Sequence, residues 1–309
     1  MHVLVAGGAG FIGSHLCERL LQEGHSVVSI DNCYTGSYKN IFHLVQNPNF
    51  KSVPHNVIYP FNWSERFDFI FHLASPASPK WYQADPIGTI KANILGSFNL
   101  LDRARSDSCP IFYSSTSEVY GDPKEHPQKE SYFGNVNCTG PRANYDESKR
   151  CSETIFFEYQ NVYGIDVKVA RFFNTFGPRM ASDDGRVVSN FIVNALKGND
   201  ITIHGDGKQT RSFQYISDLI NALIKFMNSK SHGPINLGNP EEFTILDLAN
   251  LVISKTNSKS KIVFKDKLQD DPVLRCPDIN KAKQELNWEP KVKLSEGLDY
   301  TIDYFKSIS

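Results

Sequence analysis

The groups in this chain best suited to chemistry are a tyrosine and a lysine four residues apart, in Tyr145-Asp146-Glu147-Ser148-Lys149. On a helix such a pair shares one face. An ammonium there favours the phenolate, lowers the tyrosine pKa and makes a usable base near neutral pH. Spacing alone proves little, because among 13 tyrosines about one such pair arises by chance. A second does occur, Tyr120 with Lys124, but Gly121 and Pro123 between them break any helix. Tyr145 and Lys149 instead lie in a stretch from Arg142 to Tyr163 that reads as a helix closed by Gly164. Thr116, Ser117 and Glu118 form a second polar group, directly after the apolar run Ile111–Ser114. A third constellation opens the chain: Gly7, Gly10 and Gly13, with Phe11 and Ile12 among them, follow the apolar run His2–Ala6. Glycines there let the backbone approach a pyrophosphate that a helix N-terminus attracts. Asp31, ending the next strand, can accept hydrogen bonds from a ribose, which favours NAD over NADP.

These groups need elements that carry them to one place. The sequence predicts strands at His2–Ala6, Val27–Asp31, Phe69–Ala74, Ile111–Ser114 and Val167–Phe172. Helices with an apolar stripe are expected from Ile12 past Leu20, over Ala84–Arg105 and over Arg142–Tyr163. Strand and helix alternate, which argues an α/β fold with a parallel, doubly wound sheet. In such sheets ligands sit at the strands' C-terminal edge. Leu73, Ser75 and the rigid Ser75–Pro79 loop lie there, and the polar loop Asn32–Ser37, with Thr35 and Gly36, is placed to wrap an adenosine. Beyond Asn174 short strands mix with helices, so a smaller C-terminal α/β lobe is expected to hold the substrate. The expected division is 1–173 for the cofactor domain, rejoined by about 212–238, and 174–211 with 239–309 for the substrate lobe.

Composition narrows the class. The 309 residues carry 33 basic and 34 acidic side chains, so nothing advertises nucleic acid or an anionic membrane. No apolar run approaches the roughly 20 residues that span a bilayer, and no signal peptide precedes the glycine turn. Six cysteines without a Cys-x-x-Cys pair fit reduced thiols and a cytoplasmic protein. No metal site is expected.

Together the motifs resemble the extended short-chain dehydrogenase/reductase superfamily: Gly-x-x-Gly-x-x-Gly, a Ser/Thr before Val-Tyr-Gly, and Tyr-x-x-x-Lys. They are more similar still to UDP-glucuronate decarboxylases, also called UDP-xylose synthases. That resemblance runs from Gly7–Leu16 through Ser115–Asp122, Gly140–Lys149 and Asp184–Phe191 to Asp270–Ile279 and Trp288–Lys291. It implies a Rossmann-like fold and a tightly bound, internally recycled NAD. Tyr145 would take a proton from the sugar C4 hydroxyl as hydride passes to NAD. Lys149 would hold the cofactor ribose, and Thr116 would hydrogen-bond the reacting oxygen. The 4-keto product is a β-keto acid that loses CO₂ readily, and reprotonation and reduction then give UDP-xylose.

The resemblance also assigns the remaining residues. Ser117 stands where sugar-nucleotide 4,6-dehydratases carry an Asp. Glu118 would act near C5 as base, proton relay or positioner. The plainer alternative is that both residues only cap the following turn. Arg275 matches an arginine at the substrate's charged part, and Arg211 one that binds the diphosphate, as bidentate anion recognition requires. Thr175 and Arg186 match cofactor positions, Asn174 and Lys91 substrate positions. Asn56-Val57 replaces an Asp-Val that meets the adenine, and Asn144 and Trp81-Tyr82 also depart from the pattern. Two helices, carrying Ile87–Leu101 and Tyr145–Tyr159, would pair with their copies as a four-helix bundle in a homodimer, with Ile155, Phe156 and Tyr159 as surplus apolar surface. Release of the 4-keto pentose, a UDP-sugar 4-epimerase or 4,6-dehydratase, and an NAD-binding regulator are the competing readings.

Overall fold

The computed structural model describes residues 1–266 and 274–308. Its first half runs β1 (His2–Ala6), α1 (Phe11–Gln22), β2 (Ser26–Asp31), β3 (Phe50–Pro54), β4 (Phe69–His72), α2 (Pro79–Ala84), α3 (Pro86–Asp107), β5 (Ile111–Thr116), α4 (Ala143–Tyr163) and β6 (Val167–Phe172). Its second half adds β7 (Thr175–Phe176), α5 (Val187–Lys197), β8 (Ile201–His204), β9 (Thr210–Ser212), β10 (Gln214–Tyr215), α6 (Ile216–Met227), β11 (Ile235–Leu237), β12 (Glu242–Thr244), α7 (Ile245–Thr256), β13 (Ile262–Lys265), α8 (Asn280–Leu286) and α9 (Leu294–Ile308).

Seven strands form one parallel sheet in the order β11-β6-β5-β4-β1-β2-β3. The order reverses at β1, which lies between β2 and β4, so the crevice above their C-terminal ends is the sheet's ligand edge. Helices cover both faces because the strands are apolar on both. On one face Leu16 and Leu20 of α1 and Leu219, Leu223 and Phe226 of α6 pack over Phe71 and Phe112. On the other, Leu100, Leu101 and Ala104 of α3 and Phe156 of α4 pack over Ile70 and Tyr113. Each such large side chain contributes about 1.5–3 kcal/mol on burial. A separate core joins α5, α7 and α9 through Phe191, Ile192, Leu248, Val252, Leu298 and Phe305.

Several boundaries differ from the sequence expectation for identifiable reasons. The stretch Ser75–Pro79 is not all loop: Ser78 precedes Pro79 at the first helical position, and α2 begins there. Proline is accommodated there because that position has no intrahelical N–H bond to lose. The expected Ala84–Arg105 helix starts at Pro86, since Asp85 interrupts α2 and caps α3 by accepting from Gly88 N at 2.8 Å. β11 joins the main sheet beside β6. Ile279, Ala282, Leu286 and Trp288, from the stretch expected in the substrate lobe, pack into the main-sheet core. Phe156, expected as surplus surface, is fully buried and stacks on Tyr113 at 4.6 Å. Among the described residues no helix is long and apolar enough to cross a membrane.

Candidate active site

A cleft of about 1670 Å³ opens along the C-terminal edge of the main sheet and extends under the second lobe. One end is built by the glycine turn. Gly7 adopts φ +85°, and a Cβ there would lie 2.7–2.9 Å from the backbone of Leu73 and Ala74. A Cβ on Gly13 would collide with the Gly7 carbonyl. The turn is therefore as tight as backbone allows, and α1 starts at Gly10 without a side-chain cap. Its first N–H groups are left for an anion. Asp31 closes this end: its Oδ2 accepts from Ala9 N at 3.0 Å and its Oδ1 from Cys33 N at 2.8 Å. Burial raises its pKa, and those N–H donors oppose the rise. Phe11, Ile12, Asn32, Thr35, Asn56 and Val57 line the same end, with Leu73 and Ser75. Gly36 packs close against the turn, where a Cβ would meet the Ala9–Gly10 backbone at 3.0–3.1 Å.

The middle of the cleft carries the tyrosine. β5 runs two residues past its expected end and delivers Thr116 as the cap of a short turn, Ser117–Tyr120. The Thr116 Oγ1 accepts from Glu118 N at 3.2 Å and hydrogen-bonds the Tyr145 hydroxyl. Lys149, one turn further along α4, donates its Nζ to Ser114 O at 2.7 Å and lies 5.9 Å from the Tyr145 ring centroid. The side chains lining the cleft do not by themselves lower the tyrosine pKa as expected. Burial pushes Tyr145 up to about 12, against the Thr116 hydrogen bond and the Arg186 charge. Burial also pulls Lys149 down to about 7, with Glu153 opposing. Desolvation of both groups outweighs the help one could give the other. Behind Lys149, Glu153 accepts both Nε and Nη2 of Arg171, at 2.9 and 2.8 Å, which fixes that carboxylate.

The far end is charged. Arg275, 4% exposed, and Arg142 each ion-pair with one oxygen of Glu118, so two guanidiniums grip a single carboxylate. Arg142 Nε is also 4.0 Å from Asp146. Above them Tyr82 of α2 stacks flat on Tyr145, ring centroids 5.0 Å apart at 9°. Its hydroxyl is buried without a partner among the described residues. Asn144, one of the departures, donates to Tyr82 O at 2.7 Å and so ties α2 to the start of α4. Ser117, Lys91, Asn174, Thr175, Arg186 and Arg211 all line the cleft. Arg211 is 8% exposed and donates to Thr210 O, and Arg186 lies 3.3 Å from Asp184. Residues 270–273 of the Arg275 motif lie outside the described residues.

Two contacts cross the cofactor end. Tyr34 sets its ring edge-on to Trp81 at 5.6 Å and donates to Trp81 O at 3.5 Å. Lys80 Nζ meets Asp183 Oδ2 at 2.6 Å.

Sequence reasoning missed Arg142 and Tyr82 as site residues. A signal existed for Arg142, a cation three residues before Tyr145 and hence on its helical face. Tyr82 is hidden in the sequence because the proline that starts α2 reads as loop.

The profile of a family described as GDP-mannose 4,6 dehydratase matches residues 4–301. The UDP-glucuronic acid decarboxylase 1 of Danio rerio is 52% identical over 303 residues, covering 98% of this chain and 72% of that protein. Among solved structures, the UDP-glucose 4-epimerase of Thermotoga maritima with UDP-glucose superposes with a TM-score of 0.91 at 30% identity, covering 100% of this chain and 99% of that one. The UDP-glucuronic acid 4-epimerase of Bacillus cereus, in complex with UDP-glucuronic acid and NAD, gives 0.90 at 29% identity over 100% of both chains. The epimerases share the fold, but half of all positions are shared with the decarboxylase, and this chain belongs to the UDP-glucuronic acid decarboxylase family within the short-chain dehydrogenase/reductases.

Proposed function

We propose that this chain decarboxylates UDP-glucuronate to UDP-xylose through a 4-keto sugar, with NAD retained throughout. The observation that carries this reading is the charged end of the cleft, where Arg142 and Arg275 converge beside Tyr145 and already hold one carboxylate, that of Glu118. Paired guanidiniums in a buried wall recognise carboxylates.

The glycine cradle, in which side chains at Gly7 and Gly13 would clash, fits a dinucleotide, with Asp31 and Asn56 toward the adenosine and Thr175 and Arg186 toward the nicotinamide half. NAD supplies a reversible hydride acceptor and, when oxidised, a positive charge. Lys149 holds the ribose. Tyr145, bonded to Thr116, removes and returns the C4 hydroxyl proton. Added positive charge beside Tyr145 favours its phenolate and works against the burial that holds it at about 12. Oxidation at C4 makes the C5 carboxylate a β-keto acid, whose C–C electrons pass into an enol as CO₂ leaves. Ser117 brings no second carboxylate to repel the substrate's own. Glu118 and the arginines hold the sugar ring around C5, and Arg211, Lys91 and Asn174 hold the UDP and sugar. The cofactor falls mainly to residues 1–173 and the substrate mainly to 174–211 and 239–309, with Thr175 and Arg186 reaching the cofactor, and Lys91, Glu118, Arg142 and Tyr145 the substrate, across that division.

Incubation with UDP-glucuronate and NAD, followed by NMR of the nucleotide sugar together with CO₂ release, tests the reading. UDP-xylose with stoichiometric CO₂ and no net NADH is expected. NADH accumulating with a keto pentose would replace the stated product, and no CO₂ would overturn the reading. Exposed Ile87, Leu95, Phe98 and Val162 on α3 and α4 support a homodimer that buries these helices against their copies. The six free thiols support a cytoplasmic location.

A further inference from the structure

Away from the cleft, three segments bring unlike donor atoms together: His126 from the loop after the 117–120 turn, Glu242 at the start of β12, and Cys276. One donor atom from each lies within 4.8 Å of the other two. His126 Nε2 is 3.0 Å from Glu242 Oε2. The other Glu242 oxygen accepts from the Thr210 hydroxyl at 2.6 Å, which fixes the carboxylate and leaves Oε2 facing the histidine. Cys276 is 3% exposed, and its Sγ lies 3.3 Å from Pro240 O. Its backbone is locked on both sides by Gln128, which accepts from Cys276 N at 2.9 Å and donates its own N–H to Cys276 O at 2.8 Å.

A tetrahedral ion held by thiolate, imidazole and carboxylate, with bonds near 2.0–2.3 Å, sets its ligand atoms about 3.3–3.6 Å apart. Donor atoms within 4.8 Å of one another are wider than that by up to about 1.5 Å, on a frame of a locked backbone, a β-strand and an anchored carboxylate. The side chains of His126 and Glu242 are 36% and 28% exposed, so an ion has a path in and water can complete the shell. We propose that His126, Glu242 and Cys276 form a binding site for a thiophilic divalent cation of the zinc class, with water as the fourth ligand. Thiolate plus imidazole selects a borderline-soft ion over magnesium or calcium, which take oxygen ligands.

Burial holds the Cys276 thiol protonated, its pKa pushed up to about 12. The incoming cation exchanges the S–H bond for a metal–sulfur bond, the proton passes to water, and no electron moves. A histidine–glutamate ion pair alone accounts for the 3.0 Å contact, and the thiol beside it donates to Pro240 O at 3.3 Å, a bond that metal ligation would replace. The position also matters to the cleft. Cys276 directly follows Arg275, and Glu242 pairs across the β12–β9 ladder with Ser212, the neighbour of Arg211. A bound ion therefore braces the two segments that carry those guanidiniums.

Cobalt(II) reports thiolate ligation by its near-ultraviolet sulfur-to-metal absorption. The experiment titrates the tag-free, chelator-stripped full chain with Co²⁺, then displaces it with Zn²⁺. One equivalent producing the thiolate band is expected, lost in Cys276→Ser and at least about tenfold weaker in His126→Gln and Glu242→Gln. Zn²⁺ should raise the unfolding temperature of the parent chain and leave that of His126→Gln unchanged. Because His126 and Glu242 are partly exposed, those two variants keep the test valid if Cys276→Ser folds poorly. Absence of the band with cobalt in excess, or a band that persists in Cys276→Ser or is unchanged in His126→Gln, overturns the proposal.

Discussion

Tyr145 and Lys149 stand one helical turn apart in a wall so dry that each is pushed toward its neutral form. Burial thus holds Tyr145 toward its protonated form, and positive charge beside it works the other way. Replacing Tyr145 by Phe removes the proton carrier and nothing that grips the cofactor turn. Turnover of UDP-glucuronate should fall by about 10²–10⁴-fold, while NAD released on denaturing the purified variant stays at the parent level. His72 shows the same physics without a reaction to perform. Its ring lies against Tyr113 and Phe156, and neither nitrogen has a partner among the described residues. Burial, aided by the Lys149 charge, drops its pKa from 6.5 to about 3. Between those values the unfolded chain binds a proton that the folded chain refuses. Stability is therefore fully present above pH 6.5 and is lost as pH falls toward 3. At pH 5 the loss is about 2 kcal/mol, a figure insensitive to the folded value as long as it lies well below 5. Chemical denaturation at pH 8 and pH 5 should show this loss in the parent chain and a smaller one in His72→Leu, with His15, lowered to about 4 by burial, adding its own share.

At the level of elements, legibility followed periodicity. α1, α4 and the strands of the main sheet were readable because apolar stripes and glycine ends mark them, and Gly164 closes α4 at φ +68° as its position implied. What escaped was set by contacts distant in sequence. The grip of Arg142 and Arg275 on Glu118 joins segments that no local pattern connects. The return of the chain after α7 escaped for the same reason. Its last part is docked in part by Asp218 in the first turn of α6, whose Oδ2 accepts from Lys291 N and Val292 N at 2.9 Å each. Trp288 Nε1 donates to the carbonyl of the same residue at 3.0 Å. Asp218→Ala leaves two N–H groups without their acceptor and should cost about 3 kcal/mol. A lower urea midpoint with an unchanged slope is the expected result, and an unchanged midpoint would refute the docking role.

Taken as a whole, the molecule divides its tasks between a sheet that holds one face of the cleft and a lobe that covers the other. One apolar stripe is left over. Ile87, Leu95 and Phe98 follow one another along α3 at helical spacing, 60%, 42% and 40% exposed. Sedimentation equilibrium at micromolar concentration should find a dimer, and Phe98→Glu should shift it toward monomer; a monomeric parent chain would refute the pairing. The contact of Lys80 with Asp183 bears on a different quantity, the residence time of the cofactor. Both side chains are largely exposed, at 44% and 66%, so the pair is worth at most about 1 kcal/mol and is screened as ionic strength rises. Repeated gel filtration at 1 M salt should strip NAD up to about fivefold faster than at low salt. Lys80→Met should lose it at the faster rate in both. The chain's need for added cofactor would then depend on the salt in which it was purified, and the same preparation could pass for self-sufficient or for NAD-requiring.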